Sequence, residues 1–208
     1  MASGTTGQND PPPTSGRDYA DRLNRLQGKR WKKILQVQLP WKWHMRHLAL
    51  GRTLDVGCGN GRNLHYVDAR SVGVDHNPYS VEAARASGVI AYTDTEFFAE
   101  PLLCAAGVFD SMLVSHVIEH MAPEEARTVL ASYLPSIAPG GRVAFITPQE
   151  RGHASDHTHV AFSDFRALEG IADDLGLEVE KEYSFPFPRF MGRPFIYNEF
   201  VVLSRVPA

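Results

Sequence analysis

The chain has 208 residues, of which 43% are apolar, and a formal net charge of −3. That is enough apolar material for one substantial core, and the charge argues against a protein built to coat nucleic acid. Cys58 and Cys104 are too few for a disulfide framework, no apolar run approaches the roughly 20 residues of a bilayer span, and the N-terminus has no signal-peptide core, so a soluble cytoplasmic protein is expected.

Residues 1–16 are rich in Gly, Ser, Thr and Pro, with a triple proline at Pro11–Pro13, and read as a disordered tail. A helical pattern then runs from Asp18 through Tyr19, Leu23, Leu26, Trp31, Ile34, Leu35 and Gln38 until Pro40 interrupts it. Lys29, Arg30, Lys32 and Lys33 beside Trp31 read as a solvated helix face, since an RNA-binding patch needs more aromatic and basic residues. Trp41, Trp43, His44 and Arg46 precede the first strand. Residues 17–50 are assigned to a helical cap and 51–208 to the main domain.

The chain is organised around TLDVGCGNGRNLHYVDARSVGVD, Thr53 to Asp75. A short apolar run meets Gly57, Gly59 and Gly61, a helical pattern with Leu64 and Val67 inward follows, and a second apolar run ends in an acid, Asp75. This is a βαβ unit whose glycines let the backbone turn and a ligand approach. An acid ending the second strand can accept both hydroxyls of a ribose. Asp55, two residues before the first glycine, would repel a pyrophosphate but could pair with an ammonium, which suits a nucleoside ligand carrying an amino acid.

Further on, Pro78 opens a helix to Arg85, and Gly88–Tyr92 reads as a third strand ending at Thr93 and Asp94. Val108–Val114 is a fourth strand followed by SHVIEHM, Ser115 to Met121. A helix from Pro123 carries Ala126, Val129, Leu130 and Leu134 on one face and is expected to end at Pro139-Gly140-Gly141 before a fifth strand, Arg142–Ile146. Thr147–Ala161 is polar and aperiodic and reads as a loop; Ser163 is expected to cap a helix over Asp164–Leu175, stopped by Gly176. Leu177–Tyr183 and Ile196–Ser204 are the last strands, with the aromatic and proline-rich Phe185–Phe195 between them. That stretch suits an acceptor pocket, a homodimer interface or a loop whose aromatics serve the core.

DVGCGNGRNL resembles motif I of the class I S-adenosylmethionine (SAM) dependent methyltransferases, and VGVDHNP resembles their second motif. The likeness extends from Thr53 to Arg205 and implies an α/β fold: a Rossmann-like, doubly wound seven-stranded sheet, mostly parallel with an antiparallel last strand and helices on both faces. It implies SAM as cofactor, held by Asp55, Gly57, Gly59, Gly61, Asp75 with His76 beside it, Asp94 with Thr95, and Ser115. Asp94 matches the residue that holds the adenine amino group, although a turn Asp capping the next helix fits as well. In the family the region of Trp41–Arg46 often covers the cofactor.

SHVIEHM resembles the family's fourth motif, and five of the nine histidines, His116, His120, His153, His157 and His159, fall in it and in the loop after strand five, both at the expected ligand edge. DHTHVAFSDF, Asp156 to Phe165, resembles a stretch of small O-methyltransferases, including those that act on sugars. An alcohol acceptor loses a proton as it attacks, which suits a histidine base: His157 or His159, oriented by Asp156, with His153 in reserve. His116, Glu119 and His120 form an HxxEH pattern at a place where related quinone-biosynthesis enzymes hold a metal, but the expected reading is no metal. The favoured function is SAM-dependent O-methylation of a small molecule, a sugar ahead of a phenol or quinone precursor, with metal-assisted transfer as the alternative. A nicotinamide-dependent oxidoreductase would want GxGxxG and a Tyr/Lys pair, neither of which is visible, and a non-catalytic SAM-binding protein would lack the abundant candidate bases. The NPPY and DPPY motifs of nucleic-acid base methylation are absent after strand four.

Overall fold

The computed structural model describes residues 16, 17 and 39–208. The expected tail before Gly16, the helical pattern of residues 18–38 and its basic cluster lie outside the described residues. From Leu39 the elements are α1 (Leu39–His47), β1 (Thr53–Val56), β2 (Val72–Asp75), α2 (Pro78–Ala86), β3 (Ala91–Thr93), α3 (Asp94–Ala99), β4 (Phe109–Ser115), α4 (Pro123–Tyr133), β5 (Ile137–Pro148), α5 (Glu150–His153), α6 (Phe165–Asp174), β6 (Glu178–Phe185) and β7 (Glu199–Arg205). They form a seven-stranded sheet of order β3-β2-β1-β4-β5-β7-β6. β7 runs antiparallel to both neighbours and the remaining pairs are parallel, which is the architecture the sequence implied.

The strand order reverses between β1 and β4, so a crevice opens at their carboxyl ends. Central strands are buried on both faces: all four residues of β1 and of β2 are shielded. One face packs Leu54, Met112 and Phe145 with Phe97 of α3, Leu130 of α4 and Leu168 and Ile171 of α6. On the other, Met45, Leu48 and Leu50 from α1 and its end cover Leu113, Ala144, Ile146 and Val201. Removing apolar area from water at about 25 cal/mol per Å² is what holds these layers. Among the described residues, no helix is long and apolar enough to cross a membrane.

Several local expectations are corrected. The glycine turn leads into a single 3-10 turn, Asn63–Tyr66, rather than a regular helix, because only a few residues remain before the chain must return as β2. α4 stops at Tyr133, not at Pro139-Gly140-Gly141: Pro135 cannot donate to a continuing helix, and a 3-10 turn over Leu134–Ser136 follows. Strand five begins at Ile137, and Pro139-Gly140-Gly141 forms an irregularity inside it, with Gly140 at φ +74°. Asp164, not Ser163, caps α6, accepting from Ala167 N–H at 3.1 Å, while the Ser163 carbonyl accepts from the Thr147 hydroxyl at 2.7 Å. The polar stretch after β5 contains the short helix α5. α2 starts as its sequence signals, with Pro78 in the first turn and the Asn77 side chain accepting from Tyr79 N–H.

Candidate functional site

The loop after β1 folds over the end of β2. Gly57 and Cys58 both donate to the Val74 carbonyl, at 2.8 and 3.0 Å, and Gly59 N–H donates to Asp75 Oδ2 at 2.8 Å. Gly57 stands at φ +73°, and a Cβ there would lie 2.4 Å from Val117 Cγ2. The glycine is thus required by the loop after β4, which presses against the loop after β1 across the crevice.

Asp75 is buried; its Oδ1 accepts from Asn77 N–H at 2.8 Å and lies 3.6 Å from His76 Nδ1, His76 itself being exposed. Burial raises the Asp75 carboxyl, opposed by these backbone donors. Two N–H groups leave lone pairs free on a carboxylate, so Asp75 can still take hydroxyls.

Asp55 is 1% exposed, and among the described residues no donor meets either oxygen with good geometry. Burial pushes its carboxyl up to about 7, with Arg62 and Asn63 pulling the other way. An orphaned buried acid beside a left-handed glycine turn is where an ammonium group would be accommodated. Ser115, the last residue of β4, likewise has a buried hydroxyl without a partner. Asp94 accepts from the Tyr133 hydroxyl at 2.6 Å through Oδ1. The helix-capping alternative belongs to Thr93 instead, whose side chain and that of Glu96 form a capping box; Thr95 is exposed in that first turn.

Of the residues before β1, Trp41 reaches the crevice: its Nε1–H donates to Asn63 Oδ1 at 3.3 Å, the Arg62 guanidinium lies 5.3 Å over its ring, and the His116 ring is 6.2 Å away. Trp43 is exposed and stacks on His47. His44 is buried, shares a 2.6 Å hydrogen bond with the Tyr183 hydroxyl and stacks on Phe185 at 4.0 Å; burial, then His47, lowers it to about 4. Near the other end of the crevice, Gly16 accepts from Asn77 Nδ2 at 3.1 Å.

On the acceptor side, His116 has φ +59°. Its Nε2–H donates to Glu199 Oε1 at 2.8 Å, and Nδ1 lies 3.2 Å from Glu119 Oε1. Burial opposes charge on this imidazole, yet the two carboxylates overcome it and hold it up to about 10. Glu119 is fully buried and stays low, its burial outweighed by His116 and then His120. His116 therefore turns toward two acids and does not share a ligand cluster with Glu119 and His120. The residue that joins those two is His159, the three offering ligand atoms within 4.8 Å of one another.

The loop after α5 docks on this turn through Val160 and Ala161 N–H groups, which donate to the Glu119 carbonyl at 2.8 and 3.2 Å. His159 Nδ1–H donates to the His153 carbonyl at 2.8 Å, and Nε2 lies 4.0 Å from Glu119 Oε1. His153 packs on His159 and Phe162, and its Nε2 is buried without a partner. Asp156 Oδ1 accepts from Thr158 N–H and hydroxyl, at 3.0 and 2.8 Å, and lies 3.9 Å from Nδ1 of the exposed His157. Asp156 thus flanks His157, and its link to His159 runs through the backbone, His159 N–H donating to the Asp156 carbonyl at 3.3 Å. Phe187 and Phe190 of the proline-rich stretch are exposed, and the stretch is tied to β5 through Asn198, which bonds Phe187 N–H and Gln149.

Trp41, Arg62, Asn63 and Glu199 join the site without having been singled out as ligands or bases. Arg62 and Asn63 lie inside the quoted DVGCGNGRNL motif, whereas Glu199 is 83 residues from its partner His116 and carries no local signal.

A family model described as a methyltransferase domain matches residues 16–182. Among solved structures, a chain of the complex between the Haloferax volcanii Trm112 methyltransferase activator and a methyltransferase superposes with a TM-score of 0.66 at 16% identity, covering 93% of this chain and 100% of that one. The magnesium protoporphyrin IX methyltransferase of Synechocystis PCC 6803 with bound S-adenosylhomocysteine (SAH) gives 0.63 at 15%, covering 93% and 96%. A SAM-dependent methyltransferase from Archaeoglobus fulgidus gives 0.61 at 16%, covering 90% and 99%. At these identities the likeness is one of fold. No curated protein matched in sequence.

Proposed function

The chain belongs to the methyltransferase-domain family, and from that premise we propose that it methylates a hydroxyl of a small molecule, a sugar in preference to a phenol or quinone precursor, using a loop histidine as general base. It is a SAM-dependent enzyme of the class I architecture. SAM supplies an electrophilic methyl group on a sulfonium, so the protein's work is alignment of the acceptor and removal of its proton. In this reading Asp55 pairs with the ammonium of the methionine end and Arg62 faces its carboxylate. Asp75 accepts the ribose hydroxyls, Asp94 accepts the adenine amino group alongside the Tyr133 hydroxyl, and Ser115 lies beside the methionine end.

The observation that supports hydroxyl methylation is that the loop carrying Asp156 and His157 docks on the Glu119–His120 turn after β4, through the Val160 and Ala161 N–H groups. His157 is the base in this proposal, flanked by Asp156 at 3.9 Å, because its imidazole is exposed while both nitrogens of His159 face protein groups. A sugar is favoured in this reading because the exposed His157 beside Asp156 would offer polar groups to several hydroxyls, in a stretch that resembles one of sugar O-methyltransferases. The test is transfer of labelled methyl from SAM into panels of sugars, phenols, quinone precursors and amines. Label in a sugar hydroxyl is the expected result; label confined to amines, or in no acceptor, overturns the reading.

A further inference from the structure

α1 starts at the crevice, where Trp41 bonds Asn63, and just past its end the Leu48 carbonyl accepts from Arg142 of β5 at 3.2 Å. A cavity of about 480 Å³ is bounded by this helix and the edge strand β6, within the roughly 300–1,000 Å³ of small-molecule sites. It is separate from the crevice, since no candidate cofactor group or base lines it. Aromatic rings make its walls. From α1 come Trp43 and His47, stacked at 4.0 Å; Trp43 is 57% exposed, so much of its indole is open to a further ring. From β6 come Tyr183 and Phe185, with His44 stacked on Phe185 and bonded to the Tyr183 hydroxyl.

Two features say what would enter. The first is charge. Lys181 Nζ is held 5.0 Å over the Tyr183 ring, and Arg142 is a second cation in the lining. The acid there, Glu180, is taken up by Arg205, whose Nε donates to Oε1 at 2.6 Å, while Arg142 Nε lies 3.9 Å from Oε2. One carboxylate among three bases leaves the rim positive. The second is His44, 4% exposed and neutral at pH 7 because burial, then His47, lowers it. Its Nδ1 is buried with no hydrogen-bond partner among the described residues. With Nε2 accepting from the tyrosine, Nδ1 carries the proton, and buried donors are almost always met; an acceptor atom entering the cavity is what would meet this one. We propose that the cavity binds a planar aromatic acid, its ring against the Trp43 indole and its anionic group facing Lys181 and Arg142.

The experiment uses the full chain with saturating SAH, so that the cofactor crevice is filled, titrated with the aromatic acid anilinonaphthalene sulfonate and followed by dye emission. The expected result is a saturable rise at one equivalent that SAH does not displace. Lys181→Glu and Trp43→Ala should each weaken dye binding by about tenfold, the equivalent of one charge-assisted hydrogen bond or one aromatic stack, with the melting temperature unchanged. Phe190→Ser, at an exposed aromatic of the proline-rich stretch, should bind the dye like the parent. Phenylnaphthylamine, which has the rings without the sulfonate, should bind about tenfold more weakly than the acid. Absence of saturable binding in the unsubstituted chain overturns the proposal, as does displacement of the dye by SAH. Parent-like binding by both Lys181→Glu and Trp43→Ala overturns it too, and equal affinity for the uncharged dye overturns the assignment to an acid.

Discussion

On the β1–β2 side of the crevice the candidate cofactor groups from Asp55 to Asp75 come from one continuous stretch, with main chain as the main support: Gly59 and Asn77 N–H groups fix Asp75, and the turn at Gly57 fixes the loop. On the β4–β5–β7 side they come from segments far apart in sequence, and each is oriented through its own side chain, His116 to Glu199 and His120 to the Thr158 hydroxyl. In the proposed reading the first side is a receptor whose shape is set by backbone geometry. The second is a set of titratable groups whose roles depend on which neighbour each one faces.

Substitutions on the two sides should therefore separate affinity from turnover. The largest effect is expected for His157→Ala: kcat should fall about 10²–10⁴-fold, the range for loss of a general base, with SAH affinity by calorimetry unchanged. A parallel loss of affinity would place His157 on the cofactor side and break the comparison. Next, Asp75→Ala should weaken SAM binding about 150-fold, since two charge-assisted hydrogen bonds of about 1.5 kcal/mol each, the weak end of their range, are at stake, while kcat at saturating SAM stays near that of the parent.

A pH titration gives a smaller effect. With its carboxyl raised to about 7, Asp55 is increasingly protonated below that pH and loses its attraction for an ammonium. SAM affinity should therefore fall by up to about tenfold between pH 7 and 6, and Asp55→Asn should flatten that limb. For folding the sign is opposite. The folded chain keeps a proton that the unfolded chain releases near 4, so this group's contribution to stability is complete below that value and is lost as pH rises through 7. The smallest effect is expected for Trp41→Phe, which loses the bond to Asn63 but keeps an aromatic ring: about a threefold loss in SAM affinity, from roughly 0.5–1 kcal/mol.

The same division explains what could be read in the sequence. The succession of strands, the glycine turn and the acid ending β2 are local patterns, and the structure has them in place. The fourth motif and the histidine loop are both expected at the ligand edge, and the structure packs them against one another. Local signals misled where two elements compete for the same residues. Pro139-Gly140-Gly141 has the composition of a helix stop, but Pro135 acts first; Ser163 and Asp164 are both good caps, and the carboxylate is the one aligned with Ala167 N–H. What no local pattern holds is the pairing of His116 with Glu199 instead of a metal cluster with His120, because β7 arrives beside β5 from the far end of the chain.

The left-handed backbone at His116 bears on any effort to engineer this protein. A non-glycine residue in that conformation costs about 1–3 kcal/mol, and replacement by glycine is the ordinary way to recover it. Here glycine would remove the cation that separates two buried acids, Glu119 and Glu199, and leaving both uncompensated in the interior outweighs the relief. The position will therefore resist the substitution that its torsion angle invites, and a stabilised variant has to be sought by replacing all three side chains together.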